Sequence, residues 1–108
     1  MIIAGREIIF KESFLDELTE FEQYLGRVTR AKGRTFTTAI FDFCCDIVAI
    51  QPLAYPVFQH KRALDAEVRW AVFQRKHAML YRVSADAVRF ISLYHTSQNE
   101  ADLLFSLD

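Results

Sequence analysis

The chain has 108 residues, of which 52% are hydrophobic and 25% charged, with only three Gly and two Pro. This composition supplies enough apolar surface for one ordered domain and excludes a disordered, collagen-like or linker-rich chain. Thirteen basic and fourteen acidic side chains give a net charge of −1, which excludes binding to nucleic acid through whole-chain charge.

The charge is unevenly spread. Residues 1–59 hold six basic and eight acidic side chains, residues 60–89 hold seven basic and three acidic, and residues 90–108 hold only the acidic Glu100, Asp102 and Asp108. The apolar runs are too short to span a bilayer. The first ten residues carry Arg6 and Glu7 and lack the layout of a signal peptide, so the expected address is the cytoplasm, away from any membrane. Cys44 and Cys45 are neighbours and read as reduced, small core residues. No metal-ligand spacing and no phosphate-binding glycine loop, Ser–His–Asp order or paired-carboxylate site is visible, so no metal or cofactor is expected.

In chain order, residues 7–10 read as a short strand. Ser13 followed by Asp16 has the form of a helix N-cap signal. Phe14, Leu18, Phe21, Leu25 and Val28 then recur in steps of four and three on one helical face, with Glu17, Glu20 and Glu22 turned to water. A short basic link over 29–34, containing Gly33, leads to a second helix over 35–50. Its stripe is Phe36, Ala39, Ile40, Phe43, Ile47 and Ile50, and Pro52 ends it. Two such helices with a short link form an antiparallel hairpin.

From Tyr55 the period becomes that of strands, over 57–60, 67–74, 79–84 and 87–95, with turns at 75–77 and 85–86. The last three pair as an antiparallel meander. The expected architecture is α+β: an N-terminal strand, then a helical hairpin packed on an antiparallel sheet of about four strands, as a single domain over 1–108. In the last strand Val88, Phe90 and Tyr94 alternate with Arg89, Ile91 and Leu93, so both sheet faces are partly apolar. The hairpin covers one. The chain's tail (Leu103, Leu104, Phe105 and Leu107), a second copy or a partner is left for the other.

Arg69 and Arg82 stand on neighbouring strands at positions that allow a shared face, as candidates for an anion or partner contact; the bland alternative is ion pairing with Asp65, Glu67 or the helix carboxylates. His95, at the end of the last strand, is a candidate acid/base or a strand-end histidine bonded to backbone. His60 and His77 read as solvated loop and turn residues. Trp70 and Tyr81 read as core.

Four stretches, in order, give the chain a resemblance. They are Ile9-Phe10-Lys11 before an acidic helix, Ile50-Gln51-Pro52-Leu53, Val68-Arg69-Trp70-Ala71-Val72, and Leu80-Tyr81-Arg82-Val83 followed by Leu93-Tyr94-His95-Thr96-Ser97. Together they resemble the RelE/ParE superfamily of toxins from bacterial type II toxin–antitoxin modules, and within it the ParE-like plasmid stabilisation branch. The resemblance implies a cognate antitoxin as partner, with Phe21, Leu25, Arg69, Arg82, Tyr94 and Gln98 as contact candidates. The ParE-like branch implies DNA gyrase as the target. The mRNA-cleaving branch implies the alternative, a ribosome-dependent endonuclease acting on mRNA with Arg69, Arg82 and His95 as its catalytic set. The chain departs from that branch at Ala71, Ala78 and Gln98, where cations are usual, which argues against an enzyme. A decayed toxin that keeps only antitoxin binding is a third reading.

Overall fold

The structure, a computed structural model, describes residues 1–58 and 67–97. His60, Lys61, Arg62, Asp65, Gln98 and the tail from Glu100 lie outside the described residues, as does the end of the strand expected over 57–60.

The N-terminus forms a hairpin of β1 (Ile2–Ile3) and β2 (Arg6–Phe10), closed by Ala4 and Gly5, both at positive φ. Helix α1 (Glu12–Gly26) and helix α2 (Arg30–Asp42) follow, and α2 runs into a π-helical turn over Phe43–Val48 and then a 3-10 turn over Pro52–Ala54. Strands β3 (Val68–Phe73), β4 (His77–Val83) and β5 (Ala87–His95) complete a sheet ordered β1-β2-β5-β4-β3. The closing meander is antiparallel, as its short turns require. The β2–β5 pair is parallel, from Glu7 opposite Ala87 to Phe10 opposite Phe90, because the helical hairpin and the strands after it return the chain in the starting direction.

The helices pack on one face of the sheet. Phe14, Leu18, Ile40, Cys44 and Val48 meet Ile8, Ala71, Met79, Tyr81, Val88, Phe90 and Leu93 in the main core. Phe10 stacks on Phe90 at 5.3 Å and meets Phe41 edge-on at 4.9 Å, while Tyr81 lies 5.6 Å from Phe90. Each fully buried aromatic contributes about 2–3 kcal/mol by its removal from water. The opposite face carries a second cluster of Phe58, Val68, Ala78, Leu80, Ile91 and Tyr94, with Trp70 half-buried against it.

Several expectations are corrected. Lys11, not Ser13, precedes the first turn of α1, and its amide donates to Phe90 O at 2.9 Å, so the helix starts directly from the strand. The expected basic link is the first turn of α2, where Thr29 Oγ1 accepts from Lys32 N at 3.2 Å. Val28 is exposed because α1 has already ended. Ile47 and Ile50 are also exposed: the π-turn holds the inward stripe to steps of four, so Ile40, Cys44 and Val48 face the sheet instead of Ile47 and Ile50, while Phe43 is half-buried against Phe73. Of the strand expected from 57, the described part is one bridge, between Val57 and Arg69.

Register decides the faces of β3–β5. Arg69 pairs with Tyr81, which lies in the main core, whereas Arg82 pairs with Val68, which lies in the second cluster. The two arginines therefore point to opposite faces and do not share one. In β5, Leu80 pairs with Ser92 but Tyr81 pairs with Phe90, so Ile91 is an extra residue. The bulge shifts the alternation by one, and Leu93 joins Val88 and Phe90 under the helices while Tyr94 joins Ile91 on the other side. That reverses the expected places of Leu93 and Tyr94.

The helix crossing depends on Gly33, where an added Cβ would lie 2.6 Å from the carbonyl oxygen of Glu22 on α1. A Cβ on Gly26 would meet nothing within 4 Å. Gly33→Ala is expected to destabilise the fold by about 1–3 kcal/mol, and Gly26→Ala to leave it unchanged or stabilise it by about 0.5–1 kcal/mol. Chemical denaturation of the two variants beside the parent checks both signs.

Candidate functional site

The bulge exposes backbone groups that a regular ladder would pair, and α1 takes them up. Ser13 Oγ donates to Ile91 O. One turn later the Glu17 carboxylate accepts from Ser92 Oγ at 3.1 Å and from Leu93 N at 3.4 Å. Ser13 is thus a docking residue rather than a cap, and Glu17 is half-buried rather than turned to water. Burial pushes the Glu17 carboxyl up to about 7 against the pull of its two hydrogen bonds, with repulsion from Glu20 and Asp16 adding to the rise.

This docking sets the C-terminal half of α1 against the end of β5. There Glu20, Phe21 and Tyr24 face His95 and Ser97 across an open groove of about 520 Å³. His95 pairs with His77 across the strands, their rings 5.3 Å apart, and the His77 ring packs 5.0 Å from Phe21 and 4.7 Å from Phe36. His77 is the first residue of β4 and half-buried, not a solvated turn residue. Burial lowers its pKa, with His95 and Lys76 adding to the effect, which favours the neutral ring. Ser97 N donates to His95 Nδ1 at 3.2 Å and Ser97 Oγ lies 2.7 Å from the same nitrogen. An amide donor at Nδ1 leaves the proton of the neutral ring on Nε2.

The other sequence candidates lie elsewhere. Arg69 sits four residues from Phe73, the partner of His77, about 13 Å along the strand at ~3.3 Å per residue. Its guanidinium donates to Tyr55 O, to Leu53 O at 3.3 Å, and to the Glu67 carboxylate. Its cross-strand neighbour Tyr81 donates to Pro52 O at 2.6 Å, and burial pushes the phenol well above its ordinary range. Together the two side chains hold three carbonyls of the segment that follows the helices. Arg82 lies on the opposite face, directly across from Arg89, whose Nη1 donates to Ser84 Oγ at 3.3 Å. Phe21 and Leu25 are half-buried on α1, and Tyr94 is buried in the second cluster. The structure brings together Phe21 and His95, and does not bring together Arg69, Arg82 and His95.

Sequence reasoning missed Tyr24 and Ser97 as groove residues, His77 as the ring packed against Phe21 and His95, and Glu17 as a docking residue. The i, i+4 spacing of Ser13 and Glu17 was the available signal, but nothing in the sequence marks the bulge they bind. Chemically, the groove offers an imidazole, two aromatic rings, a hydroxyl and a carboxylate. Among the described residues no lysine or arginine lines it, and no cluster of His, Cys, Asp and Glu is arranged to hold a metal. Among those residues, too, no helix is long and apolar enough to cross a membrane.

No family model matches the chain, and no curated protein does. Solved structures do. A chain of the chromosomal ParDE toxin–antitoxin system from P. aeruginosa superposes with a TM-score of 0.68 at 8% identity, over 85% of this chain and 97% of that one. A chain of the RelBE2 toxin–antitoxin complex from Mycobacterium tuberculosis superposes with a TM-score of 0.60 at 11% identity, over 91% of this chain and 98% of the other. The strand order, the helical hairpin and the near-complete coverage give this chain the RelE/ParE fold.

Glu17 supplies a test of how the groove is held. With its pKa raised from 4.5 to about 7 in the folded state, the folded chain binds the extra proton between those values. Glu17 therefore contributes stability that is fully present below about 4.5 and is lost as pH rises through about 7. In Glu17→Gln that falling component is expected to vanish between pH 5 and pH 8. Urea midpoints of both proteins across that range measure it.

Proposed function

We propose that this chain, built on the RelE/ParE fold, is the toxin of a type II toxin–antitoxin module, a single domain over 1–108 that acts in the cytoplasm. On this reading a cognate antitoxin neutralises it, laying an apolar segment over Phe21 and Leu25 beside the His95 groove. Such segments order on binding and cover a large surface.

The target we propose is DNA gyrase. One observation carries this choice over RNA cleavage: the candidate cations are not gathered around His95. Attack of a 2′-hydroxyl on phosphate builds negative charge that preorganised cations must meet. Arg69 is instead bound to two carbonyls and to Glu67, Arg82 faces the other side of the sheet, and the groove wall carries Glu20. Arg69 is thereby proposed as a structural residue, and His95 as a strand-end histidine held by Ser97.

The test is to induce the chain alone in a bacterial host and follow thymidine and methionine incorporation minute by minute. The expected result is an early fall in thymidine uptake while methionine uptake continues. An early fall in methionine uptake overturns the gyrase reading in favour of the endonuclease, and no fall in either, with folded protein present, overturns toxicity altogether. Arg69→Ala sharpens the choice. The structural role predicts a loss of about 2–4 kcal/mol, since charge-assisted hydrogen bonds contribute ~1.5–3 kcal/mol, with toxicity falling only as the folded fraction falls. A catalytic role predicts a stable, inactive variant.

A further inference from the structure

The tip of the helical hairpin carries a charge concentration that the fold does not explain. Arg27, Arg30, Lys32 and Arg34 fall within eight residues, all exposed, and no acidic residue occurs between Glu22 and Asp42. Among the described residues the ion pairs are those of Met1 with Glu7 and Arg69 with Glu67, so none of the four is neutralised there. Arg30 and Lys32 stand in the first turn of α2, where the helix dipole disfavours cations, and Thr29 already caps that end. Folding alone would place acids here.

Three of these arginines converge on one feature. Arg27, Arg30 and Arg34 line an open groove of about 500 Å³ between the helices, floored by Gly26 and Gly33 and edged by Thr19, Gln23 and Glu22. Glu22 is its only carboxylate among the described residues, leaving the groove strongly positive. Tyr24, which lines the neighbouring His95 groove, is 64% exposed, and the Arg27 guanidinium lies 5.8 Å from its ring centroid, so the ring adjoins the arginines. Guanidinium forks match phosphate oxygens two at a time, and an exposed ring beside them offers a platform on which a base stacks.

We propose that the hairpin tip is a binding surface for single-stranded nucleic acid, with Arg27, Arg30 and Arg34 on the phosphates and Tyr24 against a base. The arginine groove is separate from that of Phe21 and His95, with Tyr24 standing between the two, and the proposal does not depend on the toxin reading. The overall charge of −1 keeps non-specific attraction low, so the contact is local. An acidic peptide would satisfy the arginines but leave the exposed ring unused.

The test is fluorescence anisotropy of labelled U12 RNA and of dT12 titrated with the purified chain between 50 and 200 mM salt. The expected result is binding of at least one strand that weakens with salt, by about 0.7 in log–log slope per phosphate contact. Arg27→Gln/Arg30→Gln/Arg34→Gln is expected to lower affinity roughly tenfold or more and to flatten that slope by about 2, with its thermal melt unchanged. Tyr24→Ala is expected to weaken binding without altering the slope. Lys11→Gln, an exposed cation just before the other end of α1, should change neither. The proposal is overturned if neither strand binds, if the triple variant binds as well as the parent, or if a poly-glutamate peptide competes as well as the oligonucleotides. Each single arginine variant is measured as well, so an unfolded triple variant leaves the prediction of a graded loss standing to be met or failed.

Discussion

One extra residue in the last strand governs which side chains form the groove. Ile91 has no partner on β4, and from that point β5 runs out of phase with the pattern that precedes it. Leu93 and His95 consequently lie under the helices with His77, and Tyr94 lies on the far face. An unbulged strand would carry His95 to the side of Ile91 and leave the end of α1 with nothing to face. A bulge also leaves polar backbone groups that must be satisfied before they are buried. Ser13 and Glu17 do this from adjacent turns of α1, which fixes the rotation and height of the helix on the sheet. The half-buried carboxylate is the cost of that docking, and its raised pKa records it.

A second fixed point lies on the strands beside the bulge, where Tyr81 pairs with Phe90 and with Arg69. Arg69 and Tyr81, neighbours across β3 and β4, bind the carbonyls of Pro52, Leu53 and Tyr55 and so tie the end of the helical hairpin to the strands. The hydrogen-bonding capacity of Arg69 is largely committed within the chain. The two fixed points together hold the hairpin at both ends. Between them the core is aromatic, and beyond them the hairpin tip projects with unneutralised charge.

Much of the architecture was legible in the sequence because it rests on periodicity. The stripe of Phe14, Leu18 and Phe21 announced α1, Pro52 marked the end of the second helical segment, and the short turns at 75–77 and 85–86 forced the meander. The features that were not legible are those where the period slips without a compositional trace. Residues 87–94 carry apolar side chains on both faces, with Arg89 and Ser92 among them, so an inserted Ile91 breaks no visible alternation. The π-turn likewise moves the stripe from Ile47 to Val48 within a run where either would serve. Ser13 carried a capping signature but stands inside the helix, since Lys11 already makes the exit from β2. Site residues suffered most: Arg69 and Arg82 read as facing one way only until the register set them back to back.

The most direct test of this account is a nuclear Overhauser spectrum of the purified chain with assigned aromatic rings. The structure predicts cross-peaks from the His77 ring to those of His95 and Phe21, and from Tyr94 to the Leu80 and Ile91 cluster. Cross-peaks from Tyr94 to Phe21, with His95 instead near Ile91 and Trp70, would mean that β5 runs without its bulge, and the groove described above would not exist.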